Sequence, residues 1–342
     1  MRRRSHYRTG RLLLRDFLSH SGTWLAFAAT VAAIAVAVTA FPLAFEALGG
    51  AEASHSLEVL PDADRMVIAT ADGGPQKTAG LHNFTVFLDA LDSLAERSGT
   101  ELAAALGPAA FVSTSDRIPA GGTVDKEGDQ SVFIRLLVAP AFPEESTVVD
   151  GALPAPFTST PGPLDIALSE ASAEAVGWPV GETRVVGSDI PIELRLAAVI
   201  APRDRESDFW ALAPTALRPE RAEAFRPGVR TRIVTVDAFI DPESFWTLKL
   251  EYPLTMSTTV GFTIDIADLP TSGLAPLEQQ LTRFATLTHQ VGSRIAEDVA
   301  WEFQFSSGSA DAILSALERI RTTVTATAGK DLGSAARWHR AR

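Results

Sequence analysis

A run of residues without charge near the N-terminus constrains this chain more than any other feature. Residues 24–45 read WLAFAATVAAIAVAVTAFPLAF and contain no Asp, Glu, Lys or Arg. Because an α-helix rises about 1.5 Å per residue, this run is long enough to cross a hydrocarbon core of about 30 Å. We therefore predict a transmembrane helix over residues 23–48, with these positions in the span: Trp24, Phe27, Ile34, Phe41 and Phe45.

Charges on the two sides of the run predict its orientation. Residues 1–22 hold six arginines against one acidic residue, Asp16, whereas Glu46 and an acidic stretch follow the run. Basic residues that flank a membrane span are retained preferentially on the cytoplasmic side. We therefore expect a protein of the cell membrane, with its N-terminus in the cytoplasm and its main part outside.

Two features near the run leave alternatives open. Ala51-Glu52-Ala53 has the spacing of a signal-peptide cleavage site, but signal peptides usually have an apolar region of about 7–15 residues, so we favour a retained anchor. Residues 1–22 form a cytoplasmic basic segment. This segment either lies along the lipid interface or only fixes the orientation of the span.

The charge balance and the absence of cysteine exclude several classes of protein. The net charge is −12 although both ends of the chain are basic, so the middle is strongly acidic. Nucleic-acid binding requires a basic surface, and we expect none. Without cysteine the chain has no disulfide scaffold, thiol nucleophile or cysteine-ligated metal.

The residues after the span have the pattern of an extracytoplasmic α+β domain over residues 49–308, followed by a C-terminal helix and basic tail over residues 309–342. Helices and strands are segregated rather than alternating, which favours α+β over a doubly wound sheet. Loops rich in Pro and Gly at 150–163 and 214–228 leave two lobes open. Strands are expected at 66–71, 131–140, 165–168, 190–201, 246–252 and 260–266, and helices at 81–97, 100–106, 170–176, 277–291 and 309–327.

Apolar spacing is the basis of most of these assignments, including the strand at 246–252 and the helix at 277–291. In the predicted strand 246–252, apolar residues alternate with polar ones; the positions expected to be buried are Trp246, Leu248, Leu250 and Tyr252. In the predicted helix 277–291, apolar residues recur at helical spacing; these are Leu277, Leu281, Phe284, Leu287 and Val291.

No motif in the chain indicates an enzyme or a cofactor site. The six histidines are not spaced as zinc ligands, and none lies in an H-E-x-x-H sequence. Lys77-Thr78 resembles the end of a phosphate-binding loop, but Gln76 occupies the position of the required glycine. We expect no catalysis, no metal and no bound cofactor.

Two polar segments allow both a structural and a functional interpretation. Ser169 follows a strand and precedes a helix, where a hydrolase nucleophile would lie. No G-x-S-x-G surrounds it, and N-capping of the helix is the better account. The charged run 203–208 ends in Phe209-Trp210. We predict an exposed turn whose aromatic residues pack on the domain, with a contact surface on a loop as the alternative.

Three phrases within residues 149–210 carry a resemblance to a known family. They read VDGALPAPF, PLDIALSEASAEAVGWPVGET and PIELRLAAVIAPRDRESDFW. In this order they resemble the extracytoplasmic domain of FtsX/MacB-like ABC-transporter permeases, most of all those of actinobacteria. The matching positions are elements of the fold, namely a strand, a capped helix and turns: Gly151, Pro154, Ser169, Glu170, Gly177, Gly181, Asp204, Asp208 and Trp210.

The resemblance implies a MacB-like periplasmic core domain after one transmembrane helix, covering roughly residues 10–328. It also implies a mechanism. In this family the permease has no catalysis of its own. A separate cytoplasmic ABC ATPase subunit binds ATP, and the outer domain moves in response. The implied partners are that ATPase, the lipid bilayer and either a second copy of the chain or a partner permease.

Residues 329–342 depart from the family pattern. Family members re-enter the membrane after a helix like the one predicted at 309–327, whereas GKDLGSAARWHRAR is polar and basic. We expect the chain to be the N-terminal part of a longer permease, ended by a truncated or shifted reading frame, with a genuine terminus as the alternative.

Two other functions stay open beside the permease. The first is a single-pass, membrane-anchored extracytoplasmic protein that binds a ligand or partner without energy coupling. The second is an anchored extracytoplasmic enzyme. A catalytic carboxylate pair would support it, but nothing singles one out among the 42 acidic residues.

Overall fold

Thirteen strands form one mixed sheet in the computed structural model, which describes residues 65–322 without 74–83, 126–127, 159–161, 189, 227–228, 268, 288, 293–299 and 306–309. The predicted span at 23–48 lies outside these residues. Within them, no helix has both the length and the apolar character needed to cross a membrane.

The strands are short to medium in length and contain more of the described residues than the helices do. They are β1 (Met66–Asp72), β2 (Leu106–Ser115), β3 (Ile118–Asp125), β4 (Gly128–Val138), β5 (Ser146–Gly151), β6 (Leu164–Ser169), β7 (Thr183–Val186), β8 (Ile192–Pro202), β9 (Glu220–Arg226), β10 (Val229–Phe239), β11 (Met256–Ile264), β12 (His289–Gly292) and β13 (Ala300–Phe305).

Helices connect these strands and cover the sheet. They are α1 (Thr85–Glu96), α2 (Thr100–Ala105), α3 (Phe142–Glu145), α4 (Glu170–Val176), α5 (Asp208–Leu212), α6 (Ser244–Glu251), α7 (Leu274–Thr286) and α8 (residues 311–322). A single 3₁₀ turn, Thr271–Gly273, precedes α7.

The sheet is antiparallel at its edges and parallel near its centre. Its strand order is β12-β13-β1-β11-β2-β4-β10-β6-β8-β5. The pairs β4–β10 and β6–β8 are parallel. β3, β7 and β9 pair with β4, β8 and β10 beside this path. The prediction of a mixed α+β fold is confirmed.

Alternate residues of the central strands pack into two different hydrophobic layers, one on each face of the sheet. In β4, Leu136 and Val138 pack under α1, α2, α6, α7 and α8, whereas Leu137 faces the other layer. That second layer is thinner and is closed by α3, α5 and residues 213–217. The period of two in a strand explains why one segment supplies both layers.

Most of the predicted elements are confirmed. The strands expected at 66–71, 131–140, 165–168, 190–201 and 260–266 correspond to β1, β4, β6, β8 and β11. The helices expected at 81–97, 100–106, 170–176 and 309–327 correspond to α1, α2, α4 and α8 over their described residues. In β8, inward and outward residues alternate as predicted.

The predicted strand at 246–252 is wrong, because these residues belong to helix α6. Trp246 and Leu248 are buried, but Leu250 is 77% exposed, which an alternating strand would not allow. The missed signal precedes the helix. Asp241 accepts a hydrogen bond from the Glu243 amide at 2.9 Å, and a proline follows it, as at many helix starts.

Two further predictions require correction. Helix α7 ends at Thr286 rather than continuing to 291, so Leu287 is 47% exposed and Val291 lies in β12. The ring of His289 hydrogen-bonds the carbonyl of Phe284 at 2.7 Å and so satisfies one group at the helix end. The predicted loop 214–228 contains strand β9. This strand was missed because its sequence is rich in charged residues and has no alternation of large apolar residues.

A buried ion pair joins the two central strands. Arg135 on β4 donates to Asp237 on β10 at 2.7 Å, and the two residues are direct neighbours in the parallel register. Thr215 completes the cluster, because it accepts from Arg135 at 2.9 Å and donates to the other carboxylate oxygen of Asp237. The cluster therefore holds residues 213–217 against the sheet.

We expect Asp237→Ala to lower the free energy of unfolding by about 3 kcal/mol, because it removes the buried carboxylate that accepts from both Arg135 and Thr215 and leaves Arg135 only the more distant Glu220, at 3.8 Å. Arg117→Gln is the matched control, since it removes only the exposed pair of Arg117 with Glu220, which should contribute less than about 1 kcal/mol. Urea unfolding of the full chain, followed by circular dichroism, measures both. Equal losses for the two variants would contradict a dominant buried pair.

Candidate functional site

A groove of about 710 Å³ lies between helix α4 and residues 203–218. Its two sides come from the two polar segments for which the sequence allowed a functional interpretation. These are the helix start at Ser169-Glu170 and the charged run that ends in Phe209-Trp210. The floor is formed by the end of β8, including Ala201 and Pro202. This volume is within the usual range of ligand sites.

Helix α4 forms one wall and is fixed at its N-terminus by Ser169. The buried Ser169 hydroxyl accepts a hydrogen bond from the Ser172 amide at 3.3 Å and donates to the Ser172 hydroxyl at 3.0 Å. The N-cap prediction is confirmed. Glu170 follows in the first turn, where a negative charge is favourable.

The C-terminus of α4 is fixed by a left-handed glycine and an arginine. Gly177 adopts φ +56°, and the Arg184 guanidinium donates to the carbonyls of Val176 and Gly177 at 3.0 and 2.6 Å. Arg184 also lies over the ring of Trp178 at 4.8 Å. Its hydrogen bond to Glu182 lowers the pKa of that carboxyl. The wall is therefore held at both ends.

Residues 203–218 form the opposite wall. The turn starts with Asp204, which accepts from the Glu206 amide at 2.9 Å, and Asp208 accepts from the Thr263 hydroxyl at 2.8 Å. Phe209 and Trp210 are buried, and the Trp210 ring meets Phe239 edge-on at 6.0 Å. The predicted packing of these aromatic residues on the domain is confirmed.

The groove carries four charged side chains that form no ion pair within the part of the chain that the structure describes. Glu170 and Glu174 lie on the α4 wall, and Arg205 and Arg218 lie on the facing wall. All four are exposed, and no ion pair joins any of them to another described residue. The two walls therefore present opposite charge across one apolar floor.

Trp210 adds an unsatisfied donor at this floor. The side chain is 4% exposed, and its Nε1, which is itself buried, has no hydrogen-bond partner among the described residues. A buried donor without an acceptor costs about 1–3 kcal/mol. The indole N–H therefore lies buried beneath the groove lining, where no other described residue satisfies it.

Other residues of the three phrases within residues 149–210 do not line the groove. Gly151, Pro154 and Gly181 lie where β5 and the α4–β7 turn meet β8, and the Gly181 amide donates to the Leu196 carbonyl at 2.7 Å. Beside them, Arg195 donates to both oxygens of Asp165 at 2.7 and 2.8 Å, which raises the pKa of Arg195.

Sequence reasoning missed Arg135, Thr215, Asp237 and Arg218. A signal was present for two of them: Arg135 and Asp237 each interrupt an apolar strand sequence, and a charge inside a buried strand needs a partner. Thr215 and Arg218 lie in a segment that carried no motif. Among the described residues, no group of three or more His, Asp or Glu side chains is arranged to hold a metal ion.

Comparisons with known proteins give likenesses among solved structures. No family model matches the chain, and no curated protein matches it. The crystal structure of the periplasmic region of MacB from Actinobacillus actinomycetemcomitans is similar at 11% sequence identity, with a TM-score of 0.27. That match covers 64% of this chain and 83% of the other chain.

Gly151→Ala and Gly177→Ala should distinguish two costs of an added Cβ. The first substitution combines a steric clash with an unfavourable backbone conformation, and the second has the backbone conformation alone. At Gly151, with φ +82°, an added Cβ would lie 2.0 Å from the Ala197 carbonyl oxygen and 2.9 Å from Val180. At Gly177 it would meet nothing within 4 Å. We expect losses of about 3–4 kcal/mol and about 1 kcal/mol, respectively. Urea unfolding of the full chain compares them; a larger loss for Gly177→Ala would contradict the packing argument.

Trp210→Ala should lower the thermal midpoint of the full chain by about 10 °C, because it empties a buried aromatic site. Trp210→Phe keeps most of the ring packing and removes the unsatisfied N–H, so its midpoint should stay within about 3 °C of the wild type. Differential scanning calorimetry measures both. Equal losses for the two variants would contradict this expectation. They would mean that removing the N–H is itself costly, and therefore that the indole N–H has a hydrogen-bond partner in solution.

Proposed function

We propose that this chain is a membrane subunit of the FtsX/MacB-like permease type. Its extracytoplasmic domain moves when a separate cytoplasmic ATPase hydrolyses ATP. The observation that carries the proposal is the ordered set of phrases in residues 149–210, which follows an uncharged run long enough to span a bilayer. Arginines before that run support a cytoplasmic N-terminus in the cell membrane.

The described domain supports a role in transmitting movement. The recognised phrases fall on α4, its caps and the adjoining turns, and these are braced by Arg184 and by the Asp165–Arg195 pair. Braced elements move as rigid bodies, which is what a conformational cycle driven from the membrane requires. The proposal includes the assignment of this domain as a MacB-like periplasmic core domain that follows one transmembrane helix.

The partners follow from the proposed role. ATP binding belongs to the ATPase subunit, which would contact the intact permease at the cytoplasmic face. The bilayer holds the span, and a second copy or a partner permease completes the transporter. In this role the chain performs no catalysis and holds no cofactor.

Cysteine labelling in intact cells tests the topology. The chain has no cysteine, so single substitutions report on one site each. We expect Glu144→Cys to react with a membrane-impermeant maleimide in intact cells, because Glu144 is exposed in the domain proposed to lie outside. Ser5→Cys should react only after permeabilisation. The reverse pattern would disprove the orientation, and labelling of both in intact cells would disprove the anchor.

A distance measurement tests the coupling to ATP. Spin labels at Glu96→Cys and Glu144→Cys, both exposed and on opposite layers of the sheet, would report on the domain. A third label before the span at Ser5→Cys would relate the domain to the membrane. With the ATPase co-expressed, ATP should change the distances to Ser5→Cys and leave the distance within the domain unchanged. An ATPase variant unable to hydrolyse ATP is the control.

The second candidate is an anchored protein that binds a ligand or partner without energy coupling. The groove favours it, because its four exposed charges form no ion pair with another described residue and are free to contact a ligand. Under this function the distances to Ser5→Cys would not respond to ATP.

A further inference from the structure

We propose that the groove between α4 and residues 203–218 binds a peptide segment in which a basic and an acidic side chain flank an apolar stretch. The inference goes beyond the permease function and does not depend on coupling to an ATPase. It rests on the shape of the groove, on the arrangement of its charges and on the apolar residues at its floor.

The acidic wall is unfavourable when the groove is empty. Glu170 and Glu174 are four residues apart on one helix, so their carboxylates lie on the same face, and like charges at this spacing destabilise a helix. No basic side chain of the described residues pairs with either glutamate. A lysine or arginine of a bound segment would remove this repulsion.

The basic wall completes the recognition. Arg205 and Arg218 face α4 across the groove and have no ion pair with another described residue. A guanidinium binds a carboxylate with two parallel hydrogen bonds. An acidic side chain on the bound segment would therefore be held on this wall while the basic side chain is held on the other.

The floor explains why the occupant is a peptide. Ala201, Pro202 and Leu217 offer apolar contact between the charged walls. A peptide supplies apolar side chains and backbone carbonyls, together with charges separated along its length. A lipid headgroup carries its charges close together and would satisfy only one wall at a time.

The walls are built to keep this geometry. Helix α4 is capped by Ser169 and held by Arg184 at its other end. The facing segment is tied to the sheet by the hydrogen bonds of Thr215 to Arg135 and Asp237. A site on fixed elements loses less conformational freedom on binding than one on free loops.

Titration of the full chain, purified in detergent, with blocked synthetic peptides tests the proposal. The probe is acetyl-KLALE-amide, and the comparison peptides are the QLALQ, KLALK and ELALE analogues. We expect KLALE to bind at least about fivefold tighter than QLALQ, because each exposed ion pair contributes a modest amount and several act together. Raising the salt from about 0.05 M to about 0.5 M should reduce that preference.

Variants assign the two walls. Two further peptides, QLALE and KLALQ, each lack one of the two charges. Glu170→Gln with Glu174→Gln should abolish the preference for KLALE over QLALE, and Arg205→Gln with Arg218→Gln should abolish the preference for KLALE over KLALQ. Glu96→Gln and Arg283→Gln are the matched controls, since both residues are exposed charges that do not line the groove. Controls that weaken binding as much as the groove variants would overturn the assignment.

A gain of function separates recognition from loss of folding. Glu174→Lys makes the groove predominantly basic and should reverse the preference, so that ELALE binds at least about threefold tighter than KLALE. The thermal midpoint of each variant checks that the chain is folded. If a monomeric lysophosphatidylethanolamine bound tighter than every peptide and displaced them, the groove would be a lipid site. That result would overturn the proposal, as would equal affinity for all four peptides.

Discussion

The parallel pair of β4 and β10 is the constraint on which the rest of the structure depends. The two strands are in register from Thr231–Asp129 to Phe239–Leu137, and within this register Arg135 and Asp237 form the buried ion pair. A buried charge without a partner is strongly unfavourable, so the ion pair selects one register among the alternatives that apolar residues alone would permit.

Both sides of the sheet join this pair near the same end. β2 meets β4 at Val138 and Leu137, and β6 meets β10 at Phe239. The hairpin strands β3 and β9 occupy the outer edges of the first halves of β4 and β10. The groove depends on this end as well: α4 follows directly from β6, while Trp210 packs on Phe239 and Thr215 binds Asp237.

Local signals predicted the elements of the fold, whereas the site required pairings between distant residues. The Ser169 cap, the Gly177 stop and the alternation of β8 are each encoded within about ten residues, and the structure contains all three. The strand prediction for residues 246–252 failed because apolar spacing over so short a run fits a strand and a helix equally. The helix start at Asp241-Pro242 is the feature that favours the helix. The groove was not predictable, since its walls are separated in sequence and meet through the parallel pairing of β6 with β8.

The charges of this domain divide into two groups with different physical roles. Those that define the fold, Arg135 with Asp237 and Arg195 with Asp165, are paired between neighbouring strands, and in each pair the carboxylate is buried. Those at the groove are exposed and form no ion pair with another described residue, and Glu170 and Glu174 repel each other along α4. The start of the helix favours a negative charge at Glu170, but it does not require the second one at Glu174. Their position opposite Arg205 and Arg218, on two independently anchored walls, is better explained by a charged occupant that contacts both walls at once.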